Sequence, residues 1–361
     1  MEKYRVGIVG ATGMVGQRFI SLLKDHPWFE VNCVAASARS AGKTYREAVG
    51  ERWAFAWEIP EKVAGMTVVD AADIDEVSKH VDFVFCAVDM KKDEIRALEE
   101  AYAKHEIPVV SNNSACRGIE DVPMVVPEIN ADHLAVIEAQ KKRLGTKNGF
   151  IAVKPNCSIQ SYVPALTPLL DFEPEKVSVC TYQAISGAGK TFKTWPEMVD
   201  NVIPYIGGED EKSENEPLKL WGHVEDGKIV NAALPVISAQ CLRVACSDGH
   251  MAAVSVSFKK KPTIEQIKER WANYETEAQR LELPSAPKPF LQYFEVPARP
   301  QTRLDRDFQN GFGVSIGRLR EDKLFDYRFV CLSHNTVRGA AGGGILTAEL
   351  LCRKGYIPHR V

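Results

Sequence analysis

"GIVGATGMVGQ", Gly7 to Gln17, decides how the rest of the chain is read. Gly7, Gly10, Gly13 and Gly16 recur every third residue. They follow the apolar run "YRVGIVG" and precede "VGQRFISLLKDH", whose Phe19, Ile20, Leu22 and Leu23 have helical spacing. The pattern is GxxGxxG rather than GxGxxG, but its use is the same. Glycines let the backbone turn tightly between strand and helix and approach a pyrophosphate held at the helix N-terminus. The strand and helix on either side are the context that makes this a dinucleotide loop and not a plain turn.

Working outward, "VNCVAAS", "VDFVFCAV", "EIRALEEAYAKH" and "IPVVSNN" continue the alternation of strand and helix as far as residue 113. Such alternation implies βαβ units and a parallel sheet covered on both faces. Beyond residue 150 the texture changes. "KVSVCTYQAIS", "MAAVSVSFKK", "GVSIGRLRE" and "FDYRFVCLS" are longer alternating strands, which suggest a mixed, largely antiparallel sheet with one more polar face. "PTIEQIKERWANYETEAQR" reads as one helix opened by a capping box, Thr263 with Gln266. The acidic "YIGGEDEKSENE", 205–216, reads as an exposed loop. The closing "GILTAELLCRKG" reads as a helix that returns to the first domain. The predicted division is a Rossmann-type domain, 1–150 with 336–361, and an α+β domain, 151–335.

The end of the second strand selects the dinucleotide. An NAD site usually carries Asp or Glu there for the ribose hydroxyls. Here "ASARSAGK" offers Ser37, Arg39, Ser40 and Lys43 and no acid, which suits a 2′-phosphate and hence NADP.

Bulk properties remove other classes. A net charge of −3 gives no general attraction to nucleic acid or to an anionic membrane. No stretch reaches the roughly 18 consecutive apolar residues of a membrane span, and Met1–Lys3 lead straight into a strand without the regions of a signal peptide. A soluble cytoplasmic protein is expected. The nine cysteines include no CxxC pair, so neither structural zinc nor a disulfide framework is expected, and no metal site.

One of those cysteines stands apart. "VKPNCSIQ" puts Cys157 where an apolar run gives way to a helix-like segment, with Ser158 placed to help cap it. A thiol at a helix N-terminus ionises more readily. Elsewhere, "TYQAISGAGK" sets Gln183 at a strand end before a small-residue turn through Ser186, Gly187 and Gly189. "CLRVACSDGH" carries Arg243, able to grip a carboxylate bidentately, and His250, able to move protons near neutral pH. "NEPLKLWG" places Glu216 and Lys219 on one helical face, an acid beside an anion-binding cation.

Taken in order, "GIVGATGMVGQ", "ASARSAGK", "SNNSACRG", "VPMVVPEIN", "KPNCS", "TYQAISGAGK", "NEPLK", "RVACSDGH" and "HNTVRGAAGG" resemble the aspartate-β-semialdehyde dehydrogenase family over essentially the full chain, in its archaeal and fungal branch. "CAVDMKKDE" departs from the family's serine- and proline-bearing form, and "RVACSDGH" has Ala-Cys where the family often has proline. The resemblance implies a fold like that of glyceraldehyde-3-phosphate dehydrogenase and a homodimer or homotetramer. It implies reduction of L-aspartyl 4-phosphate to the semialdehyde by NADPH through a Cys157 thioester, in lysine, threonine and methionine biosynthesis. His250 would then act as base toward the thiol and acid toward the aldehyde oxygen, with Gln183 orienting the substrate. Arg243 would bind the α-carboxylate and Glu216 the ammonium group, while Arg117, Asn156 and Lys219 would form the phosphate pocket. Gly10, Thr12, Gly13, Met14, Val15, Ser37, Arg39 and Ser40 would hold the cofactor's adenosine and pyrophosphate, joined by Ser186, Gly187 and Asn335 toward the nicotinamide. Two other readings stay open at this point: a malonyl-CoA reductase-type enzyme on the same scaffold, and a non-catalytic NADP sensor that does not need Cys157.

Overall fold

A computed structural model describes residues 2–359. Strands β1 (Tyr4–Val9), β2 (Phe29–Ala36), β3 (Val69–Asp70), β4 (Phe83–Cys86), β5 (Val109–Ser111) and β6 (Ile151–Val153) form a six-stranded sheet in the order β3-β2-β1-β4-β5-β6, every pair parallel. This sheet therefore runs a few residues past the predicted border at 150. Side chains alternate across it. Ile8, Phe83 and Phe85 pack under the Met14–Leu23 helix with Phe19 and Ile20, while Val9, Val84 and Cys86 face the opposite layer. Both faces are buried, which is why these strands read as unbroken apolar runs. The Gly342–Arg353 helix returns to this domain, as expected, with Ile345, Leu346 and Leu350 in the same cluster as Phe19.

The remaining strands are β7 (Pro174–Gln183), β8 (Val202–Ile203), β9 (His223–Glu225), β10 (Lys228–Val230), β11 (Val236–Val244), β12 (His250–Phe258), β13 (Leu291–Phe294), β14 (Val314–Glu321) and β15 (Tyr327–Ser333). Seven of them make a mixed sheet, β13-β14-β15-β12-β7-β11-β8, in which only β7–β11 and β13–β14 pair parallel. One face buries Val177, Val179, Val254 and Val256 against Trp271 and Ile267. The other leaves Tyr182, Val202 and Val236 exposed.

Two local expectations fail for identifiable reasons. The 205–216 stretch is not a loop from residue 209 onward: it opens the Glu209–Leu220 helix. Glu209, Asp210 and Glu211 occupy its first turn, where carboxylates complement the helix dipole. Its acids also bond backbone donors along the edge of β11. Asp210 accepts from Cys241 N–H at 2.7 Å and Glu214 from Ala239 N–H at 3.0 Å. The helix thus covers donors that a loop would leave open. The segment after Pro262 is two helices, Ile264–Ala272 and Glu277–Arg280, because Thr276 and Gln279 form a second capping box that restarts the chain.

Candidate active site

The two sheets meet at the ends of their strands. Registers Gln183↔Arg243 and His250↔Ser333 place Gln183, Arg243, His250 and, two residues past β15, Asn335 at one end of the mixed sheet. The parallel sheet presents the residues after β1, β5 and β6 to the same cleft, about 310 Å³ in volume. Met14, Val15, Asn112, Arg117, Lys154, Asn156, Cys157, Ser186, Gly187 and Glu209 share its lining with Gln183, Arg243 and Asn335, while His250 lies buried behind Cys157. A crevice at the carboxyl ends of parallel strands is where open α/β sheets bind ligands.

The glycine loop is narrower than its spacing suggests. Gly7 lies within β1 and Gly16 within the helix, so Gly10 and Gly13 make the turn. Gly10 has φ +90°, and a Cβ there would stand 2.4 Å from the Ala87 carbonyl oxygen; a Cβ on Gly16 would stand 2.4 Å from that of Gly10. Glycine is required at both. Beyond β2, Ser37 and Arg39 are exposed in a turn closed by Ser40 N–H to Ser37 C=O at 2.8 Å. Arg39 has no ion-pair partner among the described residues.

Cys157 lies four residues beyond β6, part-exposed, and does not open a helix: turns cover 157–162 and the helix begins at Val163. Ser158 caps nothing; its N–H and hydroxyl both donate to Asn156 Oδ1 at 2.7 Å. Gly339 presses on the thiol's other side, where a Cβ would lie 2.9 Å from Cys157 Cβ. The Cys157 Sγ is 3.4 Å from His250 Nε2. On the far side of that ring, Ala184 N–H donates to Nδ1 at 3.0 Å. Nδ1 is thus engaged by the backbone, and Nε2 is the ring nitrogen that faces sulfur. Burial, then Arg243 beside it, holds the imidazole well below its ordinary value. The ring is therefore neutral at neutral pH, with Nε2 facing the sulfur. Burial and the Glu209 carboxylate push the Cys157 thiol up, while Lys154, Arg243 and Arg117 pull it down.

Arg243 spends one N–H on the Ala184 carbonyl at 2.6 Å, and no other protein partner holds its guanidinium among the described residues. Gly187 makes room for it: a Cβ there would lie 2.9 Å from Nη1 and 3.0 Å from His250 Nε2. Asn335 is held by Gly249 N–H at 2.8 Å and reaches Ser186 Oγ at 2.9 Å, so the Ser186–Gly187 turn and Asn335 share one wall.

Two family models match the chain: semialdehyde dehydrogenase, NAD binding domain, over residues 5–137, and semialdehyde dehydrogenase, dimerisation domain, over residues 166–338. Aspartate-semialdehyde dehydrogenase of Schizosaccharomyces pombe is 45% identical, covering 98% of this chain and 99% of that one. The Archaeoglobus fulgidus enzyme of the same name is 43% identical, covering 98% and 100%. The chain belongs to the aspartate-semialdehyde dehydrogenase family. A crystal structure of the Candida albicans family member with NADP superposes at a TM-score of 0.89 with 39% identity, covering 99% of this chain and 100% of that one.

Within this family frame, two expected substrate residues are otherwise employed. Lys219 does not face an anion. Its ammonium donates to the carbonyls of Arg117, Ile119 and Val122 at 2.7, 2.7 and 3.0 Å, which exhausts its three donors and ties down the 117–122 turn. Glu216 is not open to an ammonium group either. It accepts from Arg117 Nη1 at 2.9 Å and from Asn156 N–H at 2.5 Å, bracketing the Cys157 approach. The acid in the cleft is Glu209, which sequence reasoning missed. It accepts from Asn156 Nδ2 at 2.9 Å, Gln183 Nε2 at 3.1 Å and Lys212 Nζ at 2.8 Å. Against the opposing effect of burial, Lys212 and those two amides keep Glu209 below its ordinary value, hence ionised. The signal was present: Glu209 and Lys212 repeat the spacing of Glu216 and Lys219 seven residues earlier. Lys154 and Asn112 were also missed; the Asn112 side-chain amide is buried without a hydrogen-bond partner among the described residues.

Proposed function

We propose that this chain is an NADP-dependent aspartate-semialdehyde dehydrogenase. It reduces L-aspartyl 4-phosphate to L-aspartate 4-semialdehyde in the route to lysine, threonine and methionine. The observation that carries this reading is a single cleft holding Cys157 3.4 Å from His250 Nε2 together with Arg243 and the ionised Glu209. A nucleophile, a proton donor and two opposite charges suit an amino acid with a reactive side-chain carbonyl. Glu209 beside Arg243 disfavours an acyl-CoA substrate that lacks an amino group.

Cys157 gives its proton to His250 Nε2 as its sulfur attacks the acyl carbon, phosphate departs with the C–O electron pair, and a thioester remains on the chain. Bound NADPH supplies the hydride. His250 Nε2–H then donates to the developing aldehyde oxygen, in a site where backbone donors around Cys157 oppose the negative charge. Gln183, held by Glu209, orients the substrate; Arg243 takes its α-carboxylate and Glu209 its ammonium group. Arg117, fixed by Glu216, and Asn156 take the phosphate. Gly10, Thr12, Gly13, Met14 and Val15 hold the cofactor's pyrophosphate, Ser37, Arg39 and Ser40 its 2′-phosphate, and Ser186, Gly187 and Asn335 its nicotinamide. The close approaches at Gly10 and Gly16 are what such a cradle needs.

Our division of the chain is 1–150, extended by β6 to 153, with 336–361 for the cofactor, and the segment from there to 335 for catalysis and assembly. The exposed Tyr182, Val202 and Val236 on the outer face of the mixed sheet support a homodimer through that face. No helix among the described residues is long and apolar enough to cross a membrane, and we place the enzyme in the cytoplasm. The decisive assay runs in reverse: NADP reduction with aspartate semialdehyde and inorganic phosphate, with arsenate replacing phosphate. Rates indifferent to phosphate, or dependent on coenzyme A, overturn the assignment.

A further inference from the structure

We propose that the buried Arg338–Glu128 pair positions the nucleophile: it fixes the turn before the Gly342–Arg353 helix and so, through Gly339, sets where Cys157 stands in the cleft. The inference rests on the reading of Cys157 as nucleophile.

The pair is a fork. Arg338 Nη1 donates to Glu128 Oε1 at 2.7 Å and Nη2 to Oε2 at 3.2 Å, with the two residues 2% and 4% exposed. Two parallel bonds between planar groups fix direction as well as distance. Arg338 Nη1 also reaches the Phe312 carbonyl at 2.9 Å, and its guanidinium carbon stands 4.3 Å from the centre of the Phe290 ring. Neither partner lines the cleft. As a source of stability a buried ion pair is poor, because taking both charges out of water offsets most of their attraction. What it supplies here is geometry.

A closed circuit carries that geometry to the sulfur. Glu128 belongs to a turn locked by Asn130, which accepts from Val126 N–H at 2.9 Å and donates to the Met124 carbonyl at 2.8 Å. The same stretch is laced to β6: Val125 N–H donates to the Val153 carbonyl and Val153 N–H to that of Pro123, both at 2.9 Å. β6 then runs through Lys154, Pro155 and Asn156 into Cys157. On the other side, Arg338 sits in a π-helical turn, Val337–Ala341. Its Gly339 N–H donates to the His334 carbonyl at 3.0 Å and its Ala341 N–H to that of Thr336 at 3.2 Å. Turns of this kind are frequent at functional sites. Here the Arg338 side chain goes to Glu128 while the next residue meets the nucleophile: a Cβ on Gly339 would lie 2.9 Å from Cys157 Cβ and 3.3 Å from its Cα. Asn335 and Thr336, just before the turn, line the cleft, so the pair that holds Gly339 also holds the wall beside the thiol. Glu128, β6, Cys157, Gly339 and Arg338 form one ring of contacts, and the fork is the link that closes it.

The test separates position from stability. In Arg338→Met combined with Glu128→Leu both charges go together and apolar bulk takes their place, a replacement that leaves stability about unchanged or improved. Thermal unfolding and NADP affinity are expected to stay close to wild type. The kcat of the phosphate-dependent reaction is expected to fall at least about tenfold, since a misplacement approaching 1 Å lowers turnover by up to about 100-fold. The single variant Arg338→Lys keeps the charge but not the fork, and is expected to lower kcat about three- to tenfold with KM for the semialdehyde unchanged. A second readout needs no substrate: iodoacetamide labelling read by peptide mass spectrometry. Labelling of Cys157 is expected to slow more than about threefold in both variants, while the buried Cys116 and Cys331 stay as protected as in wild type. Wild-type kcat or wild-type Cys157 labelling in the folded double variant overturns the proposal. So does a loss of kcat accompanied by labelling of Cys116 and Cys331, which reports a general loosening and a merely structural pair. Should the double variant not fold, Arg338→Lys decides by the same criteria. Labelling requires neither phosphate nor semialdehyde, so failure here is distinguishable from failure of the functional assignment, which the phosphate-dependent assay of the wild type decides.

Discussion

Gly339→Ala tests the geometry of the nucleophile with a single methyl group. Gly339 is not among the residues with positive φ, so alanine meets no backbone penalty there and any effect is steric. The new Cβ would stand 2.9 Å from Cys157 Cβ, 3.3 Å from its Cα and 3.4 Å from its carbonyl oxygen. Carbon pairs rest at about 3.5–4.0 Å, so one partner must retreat by roughly 0.6 Å or more. Both are hemmed in: Gly339 N–H is tied to the His334 carbonyl at 3.0 Å, and Asn156 N–H to Glu216 at 2.5 Å. Overpacking of this kind costs about 1–3 kcal/mol of stability. A shift approaching 1 Å at the nucleophile lowers turnover by up to about 100-fold. We expect kcat in the phosphate-dependent assay to fall at least tenfold and NADP affinity to stay within about threefold. Gly65→Ala, which meets nothing within 4 Å, should leave both unchanged. A folded Gly339→Ala enzyme with kcat within about twofold of wild type refutes the claim that this approach positions Cys157.

Cys157→Ala should abolish turnover while NADP titration shows nearly unchanged affinity. Arg39→Asp should move the preference from NADP toward NAD; an unchanged ratio of the two kcat/KM values refutes the 2′-phosphate assignment. Glu209→Gln should raise KM for the semialdehyde more than tenfold. Glu216→Gln should act mainly through phosphate, whose apparent affinity falls as Arg117 loses its bracket; the reverse pattern restores the sequence-based reading. For pH, the Lys154 ammonium titrates at about 7 when folded and near the ordinary lysine value of about 10.4 when unfolded, so below pH 7 the fold bears the full penalty of the charge. The penalty fades as pH rises through that window. Denaturant titration should therefore find Lys154→Met more stable than wild type below pH 7, with the difference vanishing near pH 10.

The fold was legible wherever burial is two-sided and periodic. β1, β4 and β5 read as strands because Ile8, Val9, Phe83, Val84 and Phe85 face cores on both sides, and the glycine loop followed from strand–turn–helix order. The 205–216 stretch misled because its acids look solvated. What makes it helical is long-range: Asp210 and Glu214 bond the edge of a strand that begins more than twenty residues later. The same limit explains the site. Cys157, His250, Gln183 and Arg243 sit on strand ends or the turn beyond one, where a register carries each into the cleft. Glu209 and Glu216 occur in two identical E-x-x-K spacings on one helix. Only the direction of the cleft distinguishes the acid that faces it from the one beneath Arg117. The orientation of the His250 ring depends on Ala184, 66 residues away, and no pattern in the chain announces that contact.

The electrostatics of the cleft bear on what it selects. Lys212 offsets Glu209 and Glu216 offsets Arg117 within the wall, so the charge left to meet a ligand is chiefly that of Arg243. The chain as a whole is acidic, at −3, so this positive lining is local and attracts only what enters it. An aspartyl phosphate brings a carboxylate and a phosphate against one ammonium group, an excess of negative charge that matches the lining.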